Sequence, residues 1–190
     1  MTENTKPSPA EIRAFRAENP KMRERDIAAQ LKVSEAALVA AEVGISAIRI
    51  DGSAIKLLER VAELGEVMAL SRNESAVHEK IGVYENIKTG GQGAIVLGEN
   101  IDLRIFPSRW VHAFAVTKKD GDQERLSLQY FDKAGTAVHK VHLRLASNVE
   151  AYHSIVNDLK LEYQSQDFVA ADSRTVADES GSDTKDERRV

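Results

Sequence analysis

Two residues in one short stretch have the chemistry to hold a flat anionic ligand. They are Arg104 and Phe106, in IDLRIFPSRW at positions 101–110. Side chains on a strand alternate faces, so Ile101, Leu103 and Ile105 point to a core, while Asp102, Arg104 and Phe106 point away from it; Asp102 orients Arg104 or is merely exposed. A cation beside an aromatic on the outward face suits a flat, apolar ligand that carries negative charge or needs a hydrogen-bond donor. The same pattern also fits an ordinary surface, with Arg104 solvated and Phe106 half covered. Pro107 removes a ladder donor and ends the strand, and Arg109 and Trp110 open the next one.

The five histidines offer less. His139 and His142 stand three apart on an expected strand, so they face opposite sides and cannot chelate one metal. His112 alternates with Trp110 and Phe114 on a half-buried face. His78 sits beside Glu79, and His153 falls in the closing helix. No ligand cluster emerges, and each histidine reads as structural or solvated. The chain shows no Ser-His-Asp order, no phosphate loop and no nucleotide glycine fingerprint. TGGQG at 89–93 has the length and composition of a hairpin turn. The absence of cysteine excludes disulfides, a thiolate nucleophile and iron–sulfur ligation.

The elements that must position these groups follow from length and pattern. A chain of 190 residues accommodates one domain with tails. A net charge of -4 gives no general pull toward nucleic acid or an anionic membrane. No apolar run is long enough for a membrane span, and MTENTKPSPAE lacks the apolar core of a signal peptide. Ser8 caps a helix with Pro9 and Glu11 in its first turn, running to about Glu18. A second helix covers about 23–31, and Ser34 caps a third that ends near Gly44. A short strand is expected at 45–50. Ser53 then caps a helix over 53–65 with Ile55, Leu58, Val61, Ala62 and Leu64 as its apolar stripe. From Glu66 the period changes to two, predicting strands at 66–72, 76–87, 93–98, 101–106, 109–117, 125–131 and 136–145. Short turns divide most of them and favour an antiparallel meander. A closing helix spans about 149–163. The fold class is α+β: an N-terminal helical hairpin segment, one large antiparallel sheet and a C-terminal helix. The boundaries are a flexible leader at 1–9, the domain at 10–165, and a disordered acidic, polar tail or linker at 166–190.

RDIAAQLKVSEAALVAAEV at 25–43 has the core spacing of a helix-turn-helix, through Ile27, Ala28, Leu31, Val33 and Leu38. Its would-be recognition helix is acidic and apolar, where DNA reading needs Arg, Lys, Asn or Gln. The segment therefore reads as a helical hairpin packed on the domain, and DNA binding stays a remote alternative.

Several ordered runs resemble the HemS/ChuS-type haemin-degrading factor family of bacterial haem uptake. They are LGEVMALSRNESAVHEKIGVYENI, IDLRIFPSRWVHAFAV and SLQYFDKAGTAVHKVHL, with RDIAAQLKVSEAALVAAEVG also similar to the family's opening helices. The resemblance covers about residues 11–163. It implies a cytoplasmic haem-binding protein that receives haem from an importer and passes it to an acceptor, or opens the ring to release iron. A haem carrier without turnover is the alternative. Family members carry two copies of this unit, with haem between them, and the chain matches the N-terminal copy. The family's iron-ligating histidine follows the linker between copies, beyond these residues. Arg104 matches the family's distal-side arginine and Phe106 a neighbouring pocket aromatic. His78 and Tyr84 are reserve axial ligands by residue type.

Overall fold

The computed structural model describes residues 6–73, 75–91 and 93–170. Helix α1 (Pro9–Glu18) begins in a reciprocal capping box: the Glu11 amide donates to Ser8 Oγ at 3.3 Å, and the Ser8 amide donates to Glu11 Oε2 at 2.7 Å. Helices α2 (Glu24–Leu31) and α3 (Glu35–Ala40) follow, α3 capped by Ser34. Ile12, Ile27, Ala28, Leu38 and Ala41 close a small core between the three helices. The other side of α3, Ala36, Val39 and Ala40, packs on Phe114, Val116, Phe131 and Ala137. Every residue from Ala36 to Ala40 is buried, so α3 has no face left to enter a DNA groove. The helix-turn-helix spacing serves packing.

Among the described residues, nine strands form two sheets. They are β1 (Ala47–Ile50), β2 (Val67–Arg72), β3 (Val77–Gly82), β4 (Lys88–Gly90), β5 (Gly93–Leu97), β6 (Asp102–Ile105), β7 (His112–Asp120), β8 (Gln123–Phe131) and β9 (Ala137–Leu143). The main sheet runs β1-β7-β8-β9-β2-β3, antiparallel throughout, and β4-β5-β6 form a separate small sheet. The α+β class stands, but the strands expected in one sheet divide between two. The small sheet's inner face (Ala94, Val96, Ile101, Ile105) shares one core with the main sheet's inner face (Val67, Ala69, Ala115, Leu128, Val141). Helices α4 (Ala54–Leu58) and α5 (Val149–Leu159) complete that core with Leu57, Leu58, Tyr152 and Ile155.

Local departures from the sequence pattern have physical causes. The helix expected over 53–65 is α4 followed by a 3₁₀ turn, Val61–Leu64. Three residues per turn put Val61 and Leu64 on one side, and both are fully buried. The strand expected over 76–87 stops at Gly82, where an added Cβ would press on Asn100 and Ile101. Beyond it the backbone leaves the main sheet and reappears as β4.

The C-terminal boundary also moves. Arg49 Nε donates to the Ser165 carbonyl at 2.7 Å and its Nη2 to the Asp167 carbonyl at 2.6 Å. Gln166 donates to the Val43 carbonyl and accepts from Arg13, each at 2.9 Å. Phe168 packs edge-on against His112, with ring centroids 4.8 Å apart. The tail expected to loosen at 166 is thus docked through Phe168. The remainder of that expectation, residues 171–190, lies outside the described residues, as does the leader at 1–5.

Candidate functional site

The small sheet presents the face read from the sequence. Along β6 and its flanks, Ile101 and Ile105 are buried, Leu103 is partly buried, and Asp102, Arg104 and Phe106 are exposed. Antiparallel pairing sets Arg104 opposite Ile95 and Ile95 opposite Lys88, so two cations flank one aliphatic side chain across three strands. A hollow of about 390 Å³ opens on this face, lined by Lys88, Thr89, Gly93, Ile95, Arg104 and Phe106 among others. Phe106, at the edge of the hollow, is 64% exposed.

Arg104 is barely engaged within the protein. Its one ion-pair contact among the described residues is Asp102 at 3.8 Å, between side chains 72% and 64% exposed. An exposed pair at that distance contributes little, so the guanidinium donors remain available to a ligand. The chemistry of the face is that of a one-sided platform: an apolar strip, an aromatic ring and two exposed cations. Among the described residues, no His, Tyr, Met or Cys lines the hollow, so these residues offer an iron no ligand of those types.

The two reserve ligands are placed very differently. His78 is exposed on β3, opposite Ser71 of β2. Tyr84 is 1% exposed, and its hydroxyl lies 2.6 Å from His139 Nε2. Burial raises the Tyr84 phenol above its ordinary value, which disfavours a ligating phenolate. In this structure Tyr84 is a core residue whose oxygen is already in use.

The network around it has little local signature. His139 Nδ1 lies 2.8 Å from Ser71 Oγ, so both ring nitrogens are engaged. Trp110 stacks on His139 at 5.1 Å and meets Tyr130 at 5.0 Å. Burial, with His142 nearby, holds His139 down to about 3, so it is neutral at ordinary pH. Alternation with Ala137 and Val141 was the one available sign that His139 points inward. Its partners lie 55 and 68 residues away in sequence, beyond the reach of local pattern.

A helix-backed antiparallel sheet, joined through its core to a small sheet with an open cationic and aromatic face, defines an α+β class of protein. Within that class, the chain belongs to the haemin-degrading HemS/ChuX domain family, whose model matches residues 32–159. It is 37% identical over 142 residues to the hemin transport protein HemS of Yersinia enterocolitica, a match covering 74% of this chain and 41% of that protein. Among solved structures it is similar to holo-PhuS, a heme-binding protein from Pseudomonas aeruginosa, with 41% identity and a TM-score of 0.83 over 88% of this chain and 50% of that one. The heme-degrading enzyme ChuS of Escherichia coli O157:H7 matches at 29% identity and a TM-score of 0.73, over 87% of this chain and 51% of that one. The chain thus spans about half the length of these relatives. No helix among the described residues is long and apolar enough to cross a membrane.

Proposed function

We infer that the chain binds haem as cargo or substrate and supplies one wall of the site, on the outer face of β4–β6. The observation that carries this reading is the row Lys88–Ile95–Arg104 beside exposed Phe106. A porphyrin offers an apolar ring face and two carboxylates. Phe106 and Ile95 match the first, and the cations match the second or an oxygen species held near the iron. Arg104 is the residue proposed to act on the distal side of the iron. The names of the relatives, which include a hemin transport protein and a heme-degrading enzyme, support the ligand.

The other wall and the iron's main ligand come from a second unit of the same kind, as the family resemblance implies. Of the reserve axial residues, exposed His78 stays in the reading and enclosed Tyr84 leaves it. The proposed setting is the cytoplasm, with a haem importer upstream and a haem acceptor downstream. Ring opening, with Arg104 steering bound oxygen, is the proposed activity where both units are present; carriage alone is the second reading. The experiment that separates them supplies haemin, a reductant and oxygen with catalase present, and assays open-chain tetrapyrrole and released iron. Product lost in Arg104→Ala supports turnover. Haem bound without product supports carriage, and no haem bound by either variant contradicts both.

A further inference from the structure

The main-sheet face turned away from β4–β6 carries a cavity that the haem reading does not use. Lys140 of β9 points to that face, because its neighbours His139 and Val141 point into the shared core. In the ladder it lies between Gln129 of β8 and Leu70 of β2. Helices α2 and α3 overhang this part of the sheet, and Glu24, Glu35, Lys118, Gln129 and Lys140 line the space between.

The charges in this cavity do not pair off. Glu24 accepts from Arg16 at 2.7 Å and from Lys118 at 2.5 Å. Glu35 is paired with Arg72. Lys140 is left over: no carboxylate oxygen of a described residue lies within 4.0 Å of its ammonium. The charged groups acting on it are Glu35 of α3, Arg72 of β2, Glu24 of α2 and Lys118 of β7, and each of the two carboxylates already holds another cation. His142, two residues along β9, is held down to about 4 by burial and by Lys140, Lys118 and Arg125, and is neutral at ordinary pH. Gln129, 5% exposed, donates one amide hydrogen to Ser127 Oγ at 3.1 Å and keeps a second. Lys140 is half-buried, and a partly desolvated ammonium with no close carboxylate gains from an incoming anion.

We propose that this cavity is a second ligand site, separate from the haem-facing sheet, which takes a small oxyanion on Lys140 with Gln129 as a further donor. The same geometry accepts a carboxylate or a tetrahedral anion. Binding there is linked to the Lys140 proton: burial lowers its pKa to about 8, so the ammonium that an anion needs is lost as pH rises through that value.

Sulfate and acetate serve as probes, since both stay fully ionised between about pH 6.5 and 9. Each is titrated into the full chain by calorimetry, with the Lys140 side-chain carbon followed by NMR. The expected result is saturable binding of at least one probe at about millimolar concentration. It should weaken about tenfold from pH 6.5 to 9, as a group titrating near 8 gives up its proton. Sulfate preferred over acetate assigns a phosphate-like ligand, and the reverse a carboxylate. Lys140→Arg should retain binding and Lys140→Met abolish it, with circular dichroism confirming that each variant is folded. The wild-type titration alone is decisive if a variant fails to fold. Non-saturating shifts in the wild type, or equal binding by Lys140→Met, would overturn the proposal.

Discussion

The hydroxyl of Tyr84 and Nε2 of His139 lie 2.6 Å apart, joining the segment that leads out of β3 to the middle of the main sheet. The same segment holds the small sheet: the Leu97 amide donates to the Glu85 carbonyl at 3.2 Å, and Asn86 Nδ2 donates to the Leu97 carbonyl at 3.2 Å. Tyr84 therefore fixes how β4–β6 sit on the core, and through them where Arg104 stands. Removing its oxygen leaves His139 Nε2 buried without a partner. Tyr84→Phe is expected to cost about 1–3 kcal/mol in urea denaturation. Its ferric haem spectrum should match that of the wild type, because the hydroxyl is not an iron ligand. A changed spectrum with unchanged stability would return Tyr84 to the site.

Acid should destabilise the fold earlier than carboxylate protonation alone would. His139 is held down to about 3 and His142 to about 4, against 6.5 for a free imidazole. Between those values the unfolded chain binds protons that the folded chain refuses. The stability tied to these two histidines is therefore fully present above about pH 6.5 and is lost as pH drops, by up to about 1.4 kcal/mol per pH unit for each histidine. Urea midpoints at pH 7.5 and 5.0 measure the fall, and His142→Asn should make it shallower. A midpoint that does not move over that range would contradict the buried, neutral histidines.

The docked C-terminal segment should contribute to stability. A chain ending at Tyr163 loses the bonds from Arg49 to Ser165 and Asp167 and the packing of Phe168 on His112. It is expected to be less stable by about 2 kcal/mol than a chain ending at Ala170. Equal melting temperatures for the two truncations would mean that this segment does not hold the fold.

Arg104→Ala should leave stability within about 0.5 kcal/mol of the wild type, since the side chain is exposed and its contact with Asp102 is long. Thermal unfolding without ligand checks this. A larger loss would show that Arg104 is structural and would weaken its assignment to ligand binding.

Local chemistry was legible wherever one stretch of chain decided the outcome. Ser8 with Glu11 marked the start of α1, and the alternation from Ile101 to Phe106 marked both faces of β6 before any fold was known. Long-range choices were not legible. Nothing near Gly82 shows that the chain must leave one sheet and found another, because the reason is its approach to Asn100 and Ile101. Phe168 sits in a polar run that reads as a tail, and its partner His112 is distant in sequence. The hollow beside Arg104 needs β4, a strand of three residues that composition cannot distinguish from the turn after it.

The central claim is that the outer face of β4–β6 is one wall of a haem site, and a haemin titration of this chain tests it most directly. With one ring face covered and no axial ligand in the hollow, binding should be about micromolar or weaker, with a broad Soret band. Arg104→Ala and Phe106→Ala should each weaken it several-fold while leaving the fold intact. A sharp one-to-one endpoint at nanomolar affinity, or binding indifferent to both substitutions, would contradict the account.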